Sequence, residues 1–320
     1  MVYGSLQYWP HRRASRRLPR VRSEPKLQEQ TIGNLVAYKA GMTQINLIDD
    51  SESPSKQMEV SRACTVLEVP RMEAYGIRLY AIDPITHYYK ASAEIHNKSV
   101  AQKLNMKKLK NDESSTGKYK QKLSEFSHVG VLLVAYPSDT STGQHHNVRF
   151  ETVAGGKTIE EQFNHAVGLL GKEVKASDVF KPGEYIDVLS VSKGKGWQGP
   201  VKRFGVAQQP RKATQKRRHV GTLGDFKMAR VLFTARQAGQ MGFNYRSEHN
   251  KRILKIGSKN DIAQVNKASG FINYGNVNND YIIVDGSVPG PAKRLVRIRK
   301  SIRGRNVKGI KEPKITNIVK

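Results

Sequence analysis

The sequence predicts a mainly β body that carries an α+β insertion and several basic arms. Three observations lead there. Short apolar runs recur along the chain with turn residues between them, the pattern of a barrel or sandwich. One central segment, Thr158–Lys172, instead repeats its apolar residues at helical spacing. The charge is also unevenly placed. Residues 1–23 hold six Arg and no acid, residues 188–224 hold nine Lys and Arg and no acid, and residues 293–320 hold eleven with one acid, Glu312. Those segments carry nearly all of the formal +28, which leaves an almost neutral body between strongly basic arms.

Residues 1–30 read as an arm. GSLQYWPHRRASRRLPRVRS contains Pro10 and Pro19 and has no apolar period; the arm's aromatic residues, Tyr3, Tyr8 and Trp9, lie beside Arg pairs. Rings can stack on bases while guanidinium groups meet phosphates, so Trp9, Arg12, Arg13, Arg16 and Arg17 are candidate RNA ligands. The body starts at Thr31 and takes in residues 31–75, 180–192 and 228–295. Ile32–Asp50 reads as a strand, a turn at Gly41–Met42 and a second strand; Cys64–Val69 and Gly76–Ile82 read as two more. Residues 76–179 read as the insertion. Within it, Val100, Leu104 and Leu109 lie near helical spacing, and Val129–Tyr136 is the most apolar run, suited to a buried central strand. Thr158 and Glu161 form a capping-box pattern, and Ile159, Phe163, Val167 and Leu170 make one apolar stripe.

Glu184–Val191 reads as a strand, and the basic central segment, residues 193–227, leaves from its end. Gly194, Gly196, Gly199, Pro200, Gly205 and Pro210 punctuate it. Such a stretch buries little apolar surface and repels itself, so it should order only against a dense polyanion. Lys193, Lys195, Trp197, Lys202, Arg203, Arg211, Lys212, Lys216, Arg217, Arg218 and His219 are its candidate RNA ligands, with Arg230 just beyond. After it, Ala229–Gly242 reads as a short helix ending in glycine, and Lys251–Gly257 and Tyr281–Asp285 as strands. Leu295–Lys300 reads as an edge strand with a basic face, opening a tail at residues 296–320; Arg297, Arg299 and Lys300 join the candidates.

Other chemistry finds little support. The spacing of GKGWQG fits neither a Walker loop nor a dinucleotide fingerprint, and Pro200 is expected to block a helix start there. His145 and His146 have no carboxylate at ligand spacing and read as a surface loop. Cys64 is the only cysteine, which excludes an intrachain disulfide and a Cys-based zinc site. No apolar run reaches the length of a membrane span, and no apolar stretch of a secretory signal follows the N-terminal arginines. No nucleophile–base arrangement stands out, so an enzyme is disfavoured. A chromatin or DNA-compacting protein would share the charge, but a glycine-rich, acid-free loop and two further arms on one body favour a folded RNA.

The residues then resemble a family. GSLQYWPHRRASRRLPRVRS, AYKAGMTQI, GGKTIEEQF, YIDVLSVSKGKGWQGPVKRFG, PRKATQKRR, GTLGDFKMARV, ARQAGQMGFNYR and VPGPAKRLVRIRKS are similar, in order and across nearly the whole chain, to the large-ribosomal-subunit protein L-three family in its archaeal and eukaryotic form. The resemblance implies a translation-type β-barrel interrupted by the insertion, and an N-terminal arm and central extension that penetrate large-subunit rRNA toward the peptidyl-transferase centre. It implies rRNA and neighbouring large-subunit proteins as partners, the ribosome in the cytoplasm as location, and no membrane, small-molecule substrate or cofactor beyond Mg2+ that accompanies rRNA. The family often carries a tryptophan at the extension tip; Phe226 stands there in this chain, keeping a stacking face without the indole N–H.

Overall fold

The computed structural model describes residues 8–106, 111–213, 216–225, 229–303 and 312–319. Among them run strands β1 (Asn34–Ile48), β2 (Glu59–Glu68), β3 (Met72–Ile82), β4 (Tyr89–His96), β5 (His128–Ala135), β6 (Val148–Val153), β7 (Tyr185–Val191), β8 (Trp197–Gln198), β9 (Gly239–Gln240), β10 (Tyr245–Gly257), β11 (Tyr281–Asp285), β12 (Leu295–Lys300) and β13 (Ile315–Val319). The helices are α1 (Lys98–Lys103), α2 (Thr116–Gln121), α3 (Ile159–Leu169), α4 (Ala176–Val179) and α5 (Pro200–Phe204). The chain is mainly β, as its short apolar runs predict.

The larger sheet has the order β12-β7-β10-β11-β2-β1-β13, and β12 also pairs with β1. The first half of β1 pairs with β12, Asn34 opposite Arg299 through Tyr38 opposite Leu295, and its second half pairs with β13 on the same side. Hydrogen bonding therefore returns on itself through six antiparallel strands. Leu35, Val36, Ala37 and Tyr38 are fully buried, so both faces of β1 are covered here. Outside the circuit, Gly33 N–H donates to the Val153 carbonyl and Asn34 N–H to Thr152 Oγ1, which lays the end of β6 along the start of β1.

The expected turn at Gly41–Met42 is absent: β1 is one continuous strand. Gly41 marks an irregularity instead, where the register to β2 shifts between Lys39 and Gly41. A Cβ on Gly41 would stand 2.7 Å from the Phe271 ring, so the glycine admits a close neighbour rather than a reversal. The loop that brings Phe271 there is tied to β2 by Glu68. Its fully buried carboxylate accepts hydrogen bonds from Tyr274 Oη, from the Asn278 N–H at 2.8 Å and from the Asn279 N–H at 3.0 Å. That many donors offset the cost of burying the charge.

A second sheet is four-stranded and antiparallel, β4-β3-β5-β6, with α3 packed against β5. Phe163 and Ala166 of α3 are buried, and Ile159, Val167 and Leu170 pack partly buried against the same core. The N-cap forms but the box does not close: Glu161 N–H donates to Thr158 Oγ1 at 3.3 Å, whereas Glu161 Oε2 accepts from the N–H of Lys157, one residue before the cap, at 2.8 Å.

Two further readings need correction. Residues 229–238 form no helix; where described they are irregular and lead into β9. And β12 is not an edge strand, since β7 and β1 flank it. Its five residues Leu295–Arg299 are all buried, because an interior strand of this circuit is also covered on its outer face.

Candidate nucleic-acid interface

Two basic segments and the end of β12 supply the interface candidates. The N-terminal arm has almost no regular structure, yet it is docked. Ala14 N–H donates to the Phe243 carbonyl at 2.7 Å, Asn244 Nδ2 donates to the Arg12 carbonyl at 2.8 Å, and Tyr245 Oη donates to the Arg16 carbonyl at 3.3 Å. Ala14 and Pro19 are buried and Leu18 packs against the core, whereas Arg12, Arg13, Arg16 and Arg17 stay exposed. The body thus holds the arm by backbone and small apolar side chains, and the guanidinium groups face outward. Arg13 also lies over the Phe243 ring, 5.4 Å from its centroid.

Arg297, Arg299 and Lys300 are a correction. Arg297 and Arg299 are buried, and Lys300 is half-buried with its ammonium turned onto the protein. Arg299 is buried, with Nε and Nη2 donating to Asp187 at 3.2 and 2.9 Å and Nη1 donating to the Ser23 carbonyl at 2.7 Å. Arg297 is buried, with Nη2 on Asn34 Oδ1 at 2.7 Å and on the Glu151 carbonyl, and Nη1 on the Pro19 carbonyl at 3.4 Å. Burial pushes the Arg297 guanidinium down to about 10, against the pull of Glu24 and Glu151, so it remains charged at neutral pH. Lys300 Nζ meets Thr31 Oγ1 at 3.1 Å and Glu184 at 3.8 Å. The physical reason is placement: alternate residues of an interior strand point to a covered face, and there an arginine can serve as a many-donor clasp for carbonyls and a carboxylate. Burial raises the Asp187 carboxyl, but the Asn250 N–H, Arg299, His249 and the Ile302 N–H outweigh it and hold it below the usual carboxylate range.

The central extension leaves β7 as a narrow ribbon. Lys195 N–H donates to the Met241 carbonyl, Met241 N–H returns to Gly196, and β8 pairs with β9. Pro200 then opens α5 rather than blocking it, since a first-turn proline gives up a donor the helix does not use. Gly205, at φ 68°, closes that helix in the left-handed conformation. Arg203 is half-buried and turned inward, with Nε on the Gln240 carbonyl at 3.1 Å and Nη1 on the Gln237 carbonyl at 2.8 Å. Trp9 is also engaged within the protein: its ring stacks on Phe204 at 5.5 Å and meets Phe233 edge-on at 6.1 Å, joining the arm to the extension root. Beside it, burial, Arg203 and Arg246 hold His11 below the usual imidazole range.

Beyond that root the candidates are open. Lys193, Lys195, Trp197, Lys202, Arg211, Lys212, Lys216, Arg217, Arg218, His219 and Arg230 are exposed. Among the described residues none of those lysines and arginines has an ion pair, although the Arg217 Nε donates to the Gln209 carbonyl at 3.3 Å. Trp197 keeps 76% of its surface, an exposed stacking face of the kind that meets bases. Phe226 lies outside the described residues.

The ribosomal protein L3 family matches this chain over residues 2–318. The chain belongs to the ribosomal protein L3 family. Its relatives include the large ribosomal subunit protein uL3 of Methanothermobacter thermautotrophicus, 40% identical over 94% of this chain and 91% of the relative. The uL3 of Pyrobaculum aerophilum is 40% identical over 94% and 91%, and that of Caldivirga maquilingensis 39% identical over 98% and 94%. L3 relatives are ribosomal proteins of archaeal type, and this member is not an enzyme. Among its described residues no group of three His, Cys, Asp or Glu could hold a metal, and no helix is long and apolar enough to cross a membrane. Burial pushes the Cys64 thiol up to about 12, which keeps this lone cysteine unreactive.

Within this L3 chain, sequence reasoning overlooked the cations of the body. Arg246 on β10 has its guanidinium over the Tyr8 ring at 4.5 Å, and Arg294 lies over the Phe243 ring at 5.2 Å, a ring that Arg13 also meets. Arg246 stands outside any dense basic run, so charge clustering along the chain could not single it out; Arg294 lies within the basic run 293–300 but at its start, where nothing local marks it. The signal that remains for Arg246 is its place beside Tyr245 and Phe243; Arg294 meets Phe243 only through the fold.

Proposed function

We propose that this protein is a structural constituent of the large ribosomal subunit that binds and organises large-subunit rRNA, in the cytoplasmic ribosome. The observation that carries the reading is the central extension: exposed lysines and arginines on a ribbon anchored only at its root, with a single acid, Asp225, set against them. Such a segment calls for a polyanion, and the folded RNA of a ribosome offers one that encloses it. In this reading the six-strand circuit is the translation-type β-barrel, supported by the β1–β12 pairing, and the four-stranded sheet is the α+β insertion. The extension reaches toward the peptidyl-transferase centre and contributes to subunit assembly and translation. Neighbouring large-subunit proteins and rRNA are the partners.

The test is replacement of Arg211, Lys212, Lys216, Arg217 and Arg218 together by Glu. All five side chains are exposed, so folding should be unchanged while incorporation into large subunits is abolished, read by sedimentation and mass spectrometry. Normal incorporation and translation by that variant would overturn the reading.

A further inference from the structure

We propose that the concavity between the docked N-terminal arm and the outer face of β10 is a second, preformed phosphodiester site, which takes a stretch of RNA backbone independently of the central extension. This rests on the RNA-binding reading above and deepens it. The cavity has a volume of about 460 Å³, and its walls include Arg20 and Arg22 of the arm, Arg246 and His249 of β10, and Arg303 beyond β12.

Its electrostatics are one-sided. Among the described residues Arg20, Arg22, Arg246 and Arg303 have no ion pair, and no carboxylate lines the walls. The nearest acid, Asp187, lies fully buried beneath. It already accepts from Arg299, from His249 Nδ1 at 3.1 Å, and from the N–H groups of Asn250 at 3.1 Å and Ile302 at 3.4 Å. It cannot also neutralise the rim. Four guanidinium groups around one small concavity repel one another, and a fold keeps such a field only where an anion enters to relieve it.

The donor chemistry selects the anion. Guanidinium forks pair bidentately with phosphate oxygens, and the Ser247 hydroxyl at the wall adds a neutral donor. The site is composite: the arm gives Arg20 and Arg22, β10 gives Arg246, and the two are joined through Arg299, which donates to the Ser23 carbonyl of the arm and to Asp187, itself an acceptor for His249 and the Asn250 N–H of β10. It therefore exists in the free protein, before RNA orders the central extension. A cavity with cations on several walls suits a single strand running through it better than the flat flank of a duplex, since successive phosphates can then each meet an arginine.

The experiment uses the full-length protein, a double variant Arg20→Gln/Arg246→Gln, and large-subunit rRNA purified from the same cells. Binding is titrated across salt concentration. Removing two phosphate contacts should lower the slope of log K against log salt by roughly 1.5–2 and weaken binding at low salt, with the melting temperature unchanged. An Arg20→Lys/Arg246→Lys variant should recover the slope, because the charge is kept. The site is overturned if the Gln variant matches the wild type in slope and affinity while the five-Glu extension variant still loses rRNA. It is equally overturned if the Gln variant keeps its rRNA slope but loses a neighbouring acidic ribosomal protein from the particle, which would assign the concavity to that protein. Failure of the wild type itself to bind rRNA would instead remove the underlying functional reading.

Discussion

The N-terminal arm and the central extension have the same kind of composition: arginine-rich or lysine-rich, poor in acids, broken by proline or glycine, without apolar period. The body nevertheless holds them differently. The arm gives its carbonyls at Arg12, Arg16, Pro19 and Ser23 to donors of β10, β12 and the residue before β10, and buries Ala14 and Pro19. The extension is fixed only at its root, by β8–β9, α5 and Arg203, and its cations beyond Gly205 stand in solvent. Charge does not decide the difference. What decides it is whether the backbone of the segment finds donors on a rigid surface, and for the arm two of those donors are buried arginines of β12.

The largest effect on that comparison should come from Arg299→Ala. The change leaves Asp187 buried without its principal cation and frees the Ser23 carbonyl, which should cost about 3–5 kcal/mol of unfolding free energy, measured by chemical denaturation. Brief trypsin treatment should then cut after Arg20 and Arg22 far faster than in the wild type, with cutting after Lys212 and Arg217 unchanged. The same clasp carries a pH signature. Asp187 is held below its ordinary value in the folded chain, so its contribution is complete above the unfolded carboxylate value near 4 and fades as pH falls through the lower, folded one. A loss under about 1 kcal/mol, or an arm that stays protected, would mean that the buried arginines are not what holds it.

A smaller, local effect is expected from Arg203→Ala. Its guanidinium bridges α5 to the carbonyls of Gln237 and Gln240 across the ribbon, at a half-exposed position, so the loss should be about 1–2 kcal/mol. Hydrogen exchange should quicken at Met241 and Lys195, whose amides close the ribbon, while the arm's Ala14 amide keeps its protection. Loosening of both segments together would show that the Trp9–Phe204 stack couples them tightly, and that arm and extension are one unit rather than two.

Much of this fold was legible in the sequence, for reasons visible in particular residues. Thr158 announced α3 because an N-cap is local chemistry, and Val129–Tyr136 announced β5 because a strand buried on both faces must be apolar throughout. Gly41 misled because a glycine at a close approach and a glycine in a turn look alike; the Phe271 that requires it lies 230 residues away. Pro200 misled because its effect depends on its position in the helix. At the interface, the exposed cations of the extension were legible from density of charge alone. Arg297, Arg299 and Lys300 were misassigned for the same reason: in a basic run, nothing local separates a guanidinium facing solvent from one turned onto Asp187 or the Pro19 carbonyl. Arg20 and Arg246 show the converse, since only the docking of the arm brings them to one cavity.

The smallest effect calibrates the rest. Thr158→Ala removes the side-chain acceptor for Glu161 N–H at the start of α3, far in sequence from both segments, and should lower stability by about 1 kcal/mol. If the arm is released only through the Arg299 clasp, its rate of cleavage by trypsin should barely change in this variant, because local opening governs it. If cleavage instead rises about fivefold, the factor that 1 kcal/mol gives in an equilibrium constant, the arm comes free only when the whole body unfolds. In that case the arm is as much a part of the core as β12, and the contrast with the extension is sharper than the hydrogen bonds alone imply.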